Sequence, residues 1–465
     1  MSRYFHFKSL EALRREVRRL NLSVEFEASL RMLLEPVAVL DRRVGNALVI
    51  HPMEGCDGTP DGLPDELTFR RYHRFATGGA KLIWCEATAV TEDGRANPRQ
   101  LWLHDRATDT FARLVDDMRR LHRERFGNAD DLLIGLQLTH SGRWSHPRPV
   151  LAVHDPLIDR VTFLRKNNQK APLPADYPLI SDDDLKRLED RFVAAAARAY
   201  RAGFDFVDIK QCHTYLLNEL LGARTRPGIY GGPWENRIRF ITNVVRKIRD
   251  RVPGLHVATR VNLYDGVSPD AAANGTPDIR NGFGIDPAHP HQPDLREPIA
   301  LIRTLVEHGV TLFNLTLGSP YYNPHLGRPF EKPAPDMRPT PEHPLIGVDR
   351  HFRLAAAVKQ AVPNATFVGT GYSYLRQFFP HAAEANLRRR RIDLVGVGRM
   401  ALAYPDFAAD LLENGRLDPR RVCLTVSFCT ALMRRKDNQL GQFPTGCVPR
   451  DALYAQIYRS LPRRS

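Results

Sequence analysis

The sequence predicts a closed (β/α)8 barrel over residues 46–415, preceded by a helical extension over 1–45 and followed by a tail over 416–465. Three observations carry that prediction. Four segments repeat one phrase, a helical pattern that breaks and gives way to a short apolar run: "FATGGAKLIWCEATAV", "AYRAGFDFVDIK", "VEHGVTLFNLTL" and "RRRRIDLVGVGR". Three of the four carry the glycine that commonly closes a helix. Four more apolar runs raise the count to eight, the number a barrel needs. The runs are continuous rather than alternating, as suits parallel strands covered on both faces. The competing architecture is an open doubly wound sheet. It is disfavoured because no G-x-G-x-x-G turn follows the first strand.

The elements follow in order. In the extension, "SLEALRREVRRL" sets Leu10, Leu13, Val17 and Leu20 on one helical face. The first strand is read in "NALVIHPM" and its helix in "RRYHRFATGG". The second strand, "KLIWCEATAV", is separated from the third, "DDLLIGLQLTH", by the helix "TFARLVDDMRRLHRERF". "DDLKRLEDRFVAAAARAYRAG" leads into the fourth strand, "FDFVDIK", and "ENRIRFITNVVRKIRDRV" leads out of it. The remaining strands are "GLHVATRVNL", "VTLFNLTL", "ATFVGTG" and "IDLVGVGR", with helices in "PIALIRTLVEHG" and "DRHFRLAAAVKQAV". The basic run "LRRRRIDL" ends a helix, where cations complement the dipole. Long loops follow strands three (Thr139 to about Ser181), five (Asn262 to about Leu295) and six (Gly318 to about Val348). All leave strand C-termini, the face on which barrels keep their active sites, and their Pro, Gly and His content predicts ordered coil over the mouth.

Composition narrows the class. The 465 residues are 43% hydrophobic and can bury a large core. The net charge of +14 is spread along the chain, which favours solvated faces over a nucleic-acid surface. No apolar run is long enough for a membrane span, and the N-terminus lacks the apolar region of a secretory signal. Six cysteines in so long a chain do not form a disulfide framework, so a reducing cytoplasm is expected. Cys85 and Cys212 read as small core residues and Cys56 as a loop thiol. Homo-oligomerisation is left open.

The strand ends carry the chemistry. Gln137, Lys210, His213, Tyr215, Arg260 and Arg399 all fall where strands three, four, five and eight open into the mouth. Each alone is more often structural than catalytic. Their convergence is hard to explain by packing, because long polar groups are rarely buried without partners. The glycines of "GTGYS" and "GVGRM" follow strands seven and eight, where barrels often bind a phosphate through backbone N–H groups.

With those residues in place, the chain resembles the Old Yellow Enzyme family of FMN-dependent NADH:flavin oxidoreductases. The resemblance is to the barrel part of the long branch that includes trimethylamine dehydrogenase and 2,4-dienoyl-CoA reductase. "AGFDFVDIKQCHTYLLNELLGARTRPGIYGGPWENRIRF" carries most of it, supported in order by "EATAV", "QLTHSGR" and "LVGVGR". The resemblance implies that Pro52, Met53, Glu54 and Ala87 border the flavin ring and that Gln137 meets its pyrimidine edge. It places Arg260 beside N1 and O2, where charge develops on reduction. Gly371, Tyr372, Gly398 and Arg399 match the phosphate turns. Lys210 and His213 would hold a substrate oxygen, and Tyr215 would supply a proton. The implied reaction takes hydride from NADH or NADPH, through flavin N5, to the β-carbon of an electron-poor alkene. A small-molecule partner follows from it. The reverse use, oxidation of an amine, alcohol or saturated substrate, is the alternative. An RNA-modifying flavin barrel is more remote, since no catalytic cysteine loop is seen.

Several positions depart from the family. Lys210 stands where histidine is usual, and its full charge suits a carboxylate or other anionic oxygen as well as a carbonyl. Its plain reading is an ion pair with Asp208 or a loop carboxylate. Thr214 and Tyr372 replace glycines, and Glu54 replaces Thr or Cys, with a surface loop acid as the plain reading. In the tail, Cys423, Cys429 and Cys447 match three ligands of the long branch's 4Fe–4S cluster, but Val426 stands at the second. Four thiolates are the normal requirement, so the cluster is expected to be absent and no metal is assigned.

Overall fold

The structure, a computed structural model, describes residues 3–166, 169–267, 279–331 and 339–462. Eight parallel strands close into the predicted barrel. They are β1 (Leu48–Ile50), β2 (Leu82–Ala89), β3 (Leu133–Thr139), β4 (Phe206–Ile209), β5 (His256–Asn262), β6 (Leu312–Thr316), β7 (Thr366–Gly369) and β8 (Leu394–Val397). Neighbours in sequence are neighbours in space, and β8 closes on β1 with Val395 opposite Leu48. Apart from His256 and Thr366, the strand residues are buried, which accounts for the continuous apolar runs.

A main helix follows each strand, with shorter helices in some of the loops: α1 (Glu66–Ala76), α2 (Thr108–Phe126), α3 (Asp182–Arg201), α4 (Arg239–Arg251), α5 (Arg296–Glu307), α6 (Pro344–Ala361), α7 (Phe379–Arg388) and α8 (Phe407–Asn414). Their ends obey local chemistry. Ser181 caps α3 by accepting from Asp184 N, with Asp182, Asp183 and Asp184 in the first turn, and Gly127 ends α2 at φ 85°.

The extension contains the expected helix, Leu10–Arg19, with Leu13 and Val17 buried. It also contains an unpredicted antiparallel hairpin, Val37–Val39 with Arg42–Val44. Strands of three residues are too short to show alternation. The hairpin lies at the N-terminal ends of the barrel strands, where Arg42 pairs with Asp205 at 2.9 Å and Gly45 N donates to Asp131 O. A second unpredicted hairpin, Phe163–Lys166 with Gln169–Pro172, occupies the loop after β3. Parts of the loops after β5 and β6, residues 268–278 and 332–338, lie outside the described residues.

Candidate active site

The chain leaves β4 at Ile209 and turns over the mouth through Lys210–Tyr215. His213 (φ 69°) and Thr214 (φ 57°) are both left-handed, a conformation that is costly for a β-branched residue. The glycine usual at 214 would adopt it freely. Thr214 instead is tied down on every side. Its N–H donates to Asn218 Oδ1 (2.7 Å), and its Oγ1 accepts from Trp144 Nε1 and lies 2.9 Å from Ser319 Oγ. The double turn brings Lys210, His213 and Tyr215 together. Lys210 Nζ lies 3.6 Å from the Tyr215 ring centroid, and His213 Nε2 is 3.4 Å from Thr316 Oγ1.

The carboxylate that faces Lys210 and Tyr215 is Glu54. Tyr215 OH donates to Glu54 Oε1 at 2.7 Å, and Lys210 Nζ is 3.7 Å from the same oxygen. Glu54 is therefore a wall of the site and not a surface acid. Asp208 is not the partner of Lys210 either. Its Oδ2 accepts from Trp84 Nε1 (2.8 Å) and Gln137 Nε2 (2.6 Å), and its Oδ1 accepts from Arg260 N (2.7 Å). Burial raises the Asp208 carboxyl to about 6, against these hydrogen bonds. Burial also lowers the Lys210 ammonium, opposed by Glu54, and holds the His213 imidazole well below its ordinary range, helped by Arg260 and Lys210. The Tyr215 phenol is pushed well above its ordinary value by burial and by Glu54. The site thus presents a neutral imidazole and a protonated tyrosine.

The loop after β1 is fixed from below. Gly55 N donates to Glu86 Oε2 (2.7 Å), and buried Arg71 pairs with both Glu86 and Asp57. Burial raises Glu86 to about 7, with Arg71 opposing. Pro52 lies on this loop and offers its carbonyl to Arg260 Nη1 at 3.4 Å. Ala87 sits at the irregularity of β2, and its carbonyl accepts from Gln100 Nε2. Behind the loop, the His51 ring bridges Asn314 Nδ2 (3.1 Å) and Thr370 Oγ1 (2.9 Å). A Cβ at Gly396 would fall 2.1 Å from that ring, so only glycine fits there.

The turns after β7 and β8 meet at one end of the mouth, where Met400 N donates to Ser373 Oγ. Gly371 has φ 102°, and Gly398 packs against Met53. The Tyr372 side chain points away. It is buried against Phe352 and accepts from Asn386 Nδ2, so it leaves the turn's backbone clear. Arg399 Nη2 donates to Pro329 O at 2.6 Å while its Nη1 is buried without a partner. Arg328, one residue from Pro329, is in the same state. Its Nη1 donates to Ser427 Oγ, its Nη2 has no partner, and burial and the Arg399 charge lower it to about 9. Two neighbouring guanidiniums with idle donors fit a phosphate, and Arg260, with Nε unpartnered, fits the electron-rich edge of a flavin.

Arg328, Trp144 and Tyr321 are the residues that sequence reading missed. Trp144 directly follows "QLTHSGR", so it stood beside a recognised motif. Tyr321 and Arg328 lie in the loop after β6, which has no periodicity to set its register. Tyr321 OH is 3.0 Å from Tyr215 OH, and its ring stacks on Trp144 at 4.2 Å. In the tail, Cys423, Cys429 and Cys447 form no disulfide, and burial pushes the Cys423 and Cys447 thiols up.

Comparison with known proteins finds relatives by sequence and by fold. The chain is 26% identical over 384 residues to an NADPH dehydrogenase of Listeria monocytogenes, covering 82% of this chain and 93% of that one. It is 29% identical over 295 residues to the NADH:flavin oxidoreductase FG08077 of Gibberella zeae, covering 61% of this chain and 66% of the relative. Among solved structures, the fold is shared with a 2-naphthoyl-CoA reductase in complex with 2-naphthoyl-CoA. That match has a TM-score of 0.66 and 18% identity, and covers 93% of this chain and 58% of the other. An old yellow enzyme homologue from Zymomonas mobilis aligns with TM-score 0.59 and 19% identity over 83% of this chain and 94% of its own. Residues 32–282, more than half of the sequence, match one family as a unit, and the chain belongs to the NADH:flavin oxidoreductase / NADH oxidase family.

Proposed function

We propose that the protein is an FMN-dependent NAD(P)H oxidoreductase that reduces electron-poor alkenes. The observation that carries this reading is the convergence of Lys210 Nζ, His213 and Tyr215 on one turn near Arg260, whose Nε has no partner. FMN would be held by Arg399, Arg328 and the Gly371 and Gly398 turns at its phosphate, and by Gln137 and Arg260 at its ring. When bound it supplies hydride transfer from NADH or NADPH.

The chain's own residues do the rest. Lys210 and His213 bind the oxygen conjugated to the alkene and draw charge away from the β-carbon. The imidazole is neutral, so it works as a hydrogen-bond donor and not as a second cation. Tyr215 keeps its proton until the α-carbon needs it, because burial disfavours tyrosinate. General acid catalysis of this kind contributes roughly 10²–10⁴-fold.

Stopped-flow kinetics test the assignment. Tyr215→Phe is expected to slow reoxidation by an enone by about 10²-fold or more while flavin reduction by NAD(P)H changes little. Equal loss in both half-reactions would remove the proton-donor role. A flavin that reacts with amines or alcohols but with no alkene would select the oxidative direction.

A further inference from the structure

Lys210 alone reads as a receptor for an anionic oxygen, but the pocket already contains its counter-charge. We infer that Glu54 is a charge gate, occupying the anion position beside Lys210 and reserving the pocket for neutral carbonyl-type ligands. The inference rests on the reading above, in which Lys210 and His213 hold the substrate oxygen.

Three features support it. Lys210 is only 4% exposed and has Glu54 Oε1 3.7 Å away, while both oxygens of Asp208 are taken by Trp84, Gln137 and the Arg260 backbone. Glu54 also accepts a hydrogen bond from Tyr215 OH at 2.7 Å, so its negative charge stands between Lys210 and Tyr215, where an incoming carboxylate would have to approach. Finally, the backbone that carries Glu54 is held in place. The next residue, Gly55, is anchored through its N–H to Glu86, which is locked in the buried pair with Arg71. A second carboxylate at Lys210 would lie within a few ångströms of Glu54 in a poorly hydrated space, where like charges repel strongly. A neutral carbonyl escapes that repulsion. It can take another of the three ammonium donors, leaving the ion pair intact. Specificity arises here from the repulsive element as much as from the attractive one.

Benzamide and benzoate form a test pair of nearly equal shape and different charge. Their dissociation constants can be read from perturbation of the visible flavin spectrum of the FMN-loaded full chain. The wild type is expected to bind benzamide at least about tenfold more tightly than benzoate. Glu54→Gln is expected to reverse the order, and adding Lys210→Met to that variant should abolish the gain for benzoate. Tighter benzoate binding by the wild type would overturn the gate without any variant having to fold. An unchanged ratio in an FMN-loaded Glu54→Gln protein would overturn it as well. If neither ligand perturbs the flavin of the wild type, the reading of the oxygen site fails, and the gate fails with it.

Discussion

At the scale of single residues, burial sets the chemistry of the mouth. Asp208 shows it most directly. Its folded-state value of about 6 lies above the ordinary 3.8, so the folded protein binds its proton more tightly than the unfolded chain does. Stability assigned to this group is therefore intact below about pH 4 and lost as pH rises to about 6, by about 3 kcal/mol in total. Asp208→Asn removes that dependence. Thermal melts of the two proteins should converge near pH 4, with the variant gaining relative to the wild type up to pH 6 and no further above it. A parallel pair of curves would show that Asp208 does not titrate in this window. The residue identities at the mouth were legible in the sequence, because Gln137, Lys210, His213, Tyr215 and Arg260 all follow a strand pattern. Their partners were not. Trp84 and Gln137 converge on Asp208 only once β2, β3 and β4 are adjacent.

At the scale of elements, the loops after β1, β4 and β6 and the two chain ends act together. Glu331 is fully buried, accepting from Tyr4 N (2.6 Å) and Phe5 N (3.1 Å) while its own N–H donates to Thr425 O. The Arg328–Glu331 segment is thus clamped between the extension and the tail, which holds Arg328 beside Arg399. Arg328→Met is expected to weaken FMN binding by about tenfold or more, since a charge-assisted hydrogen bond contributes roughly 1.5–3 kcal/mol. Fluorescence titration of the apoprotein with FMN measures this, and unchanged affinity would exclude Arg328 from the phosphate site. The basic run after α7 also has a second use. Beyond its place at a helix end, Arg389 bonds Glu27 at 2.8 Å and Arg391 bonds Glu25 at 2.8 Å, fastening the extension to the barrel. The sequence placed that run correctly but did not reveal its partners, because an ion pair between distant segments leaves no local pattern.

At the scale of the whole molecule, purified protein is expected to be yellow, to release FMN on denaturation and to carry no stoichiometric iron. Val426 occupies a position where a cluster needs a thiolate. Iron at the level of a 4Fe–4S cluster would show that Cys423, Cys429 and Cys447 suffice with some other fourth ligand. Colourless protein that takes up no FMN would contradict the assigned cofactor.

The sequence by itself determined the barrel and the cast of its mouth. Continuous apolar runs between helices allow few alternatives to strands covered on both faces, and a residue at a strand's C-terminal end must open onto that face. Only the tertiary structure decided which groups touch. Glu54 stands 161 positions before Tyr215, yet it accepts the tyrosine's hydrogen bond and faces Lys210. Electrostatic partnership depends on distance in space and on exclusion of water, and the linear order of residues records neither.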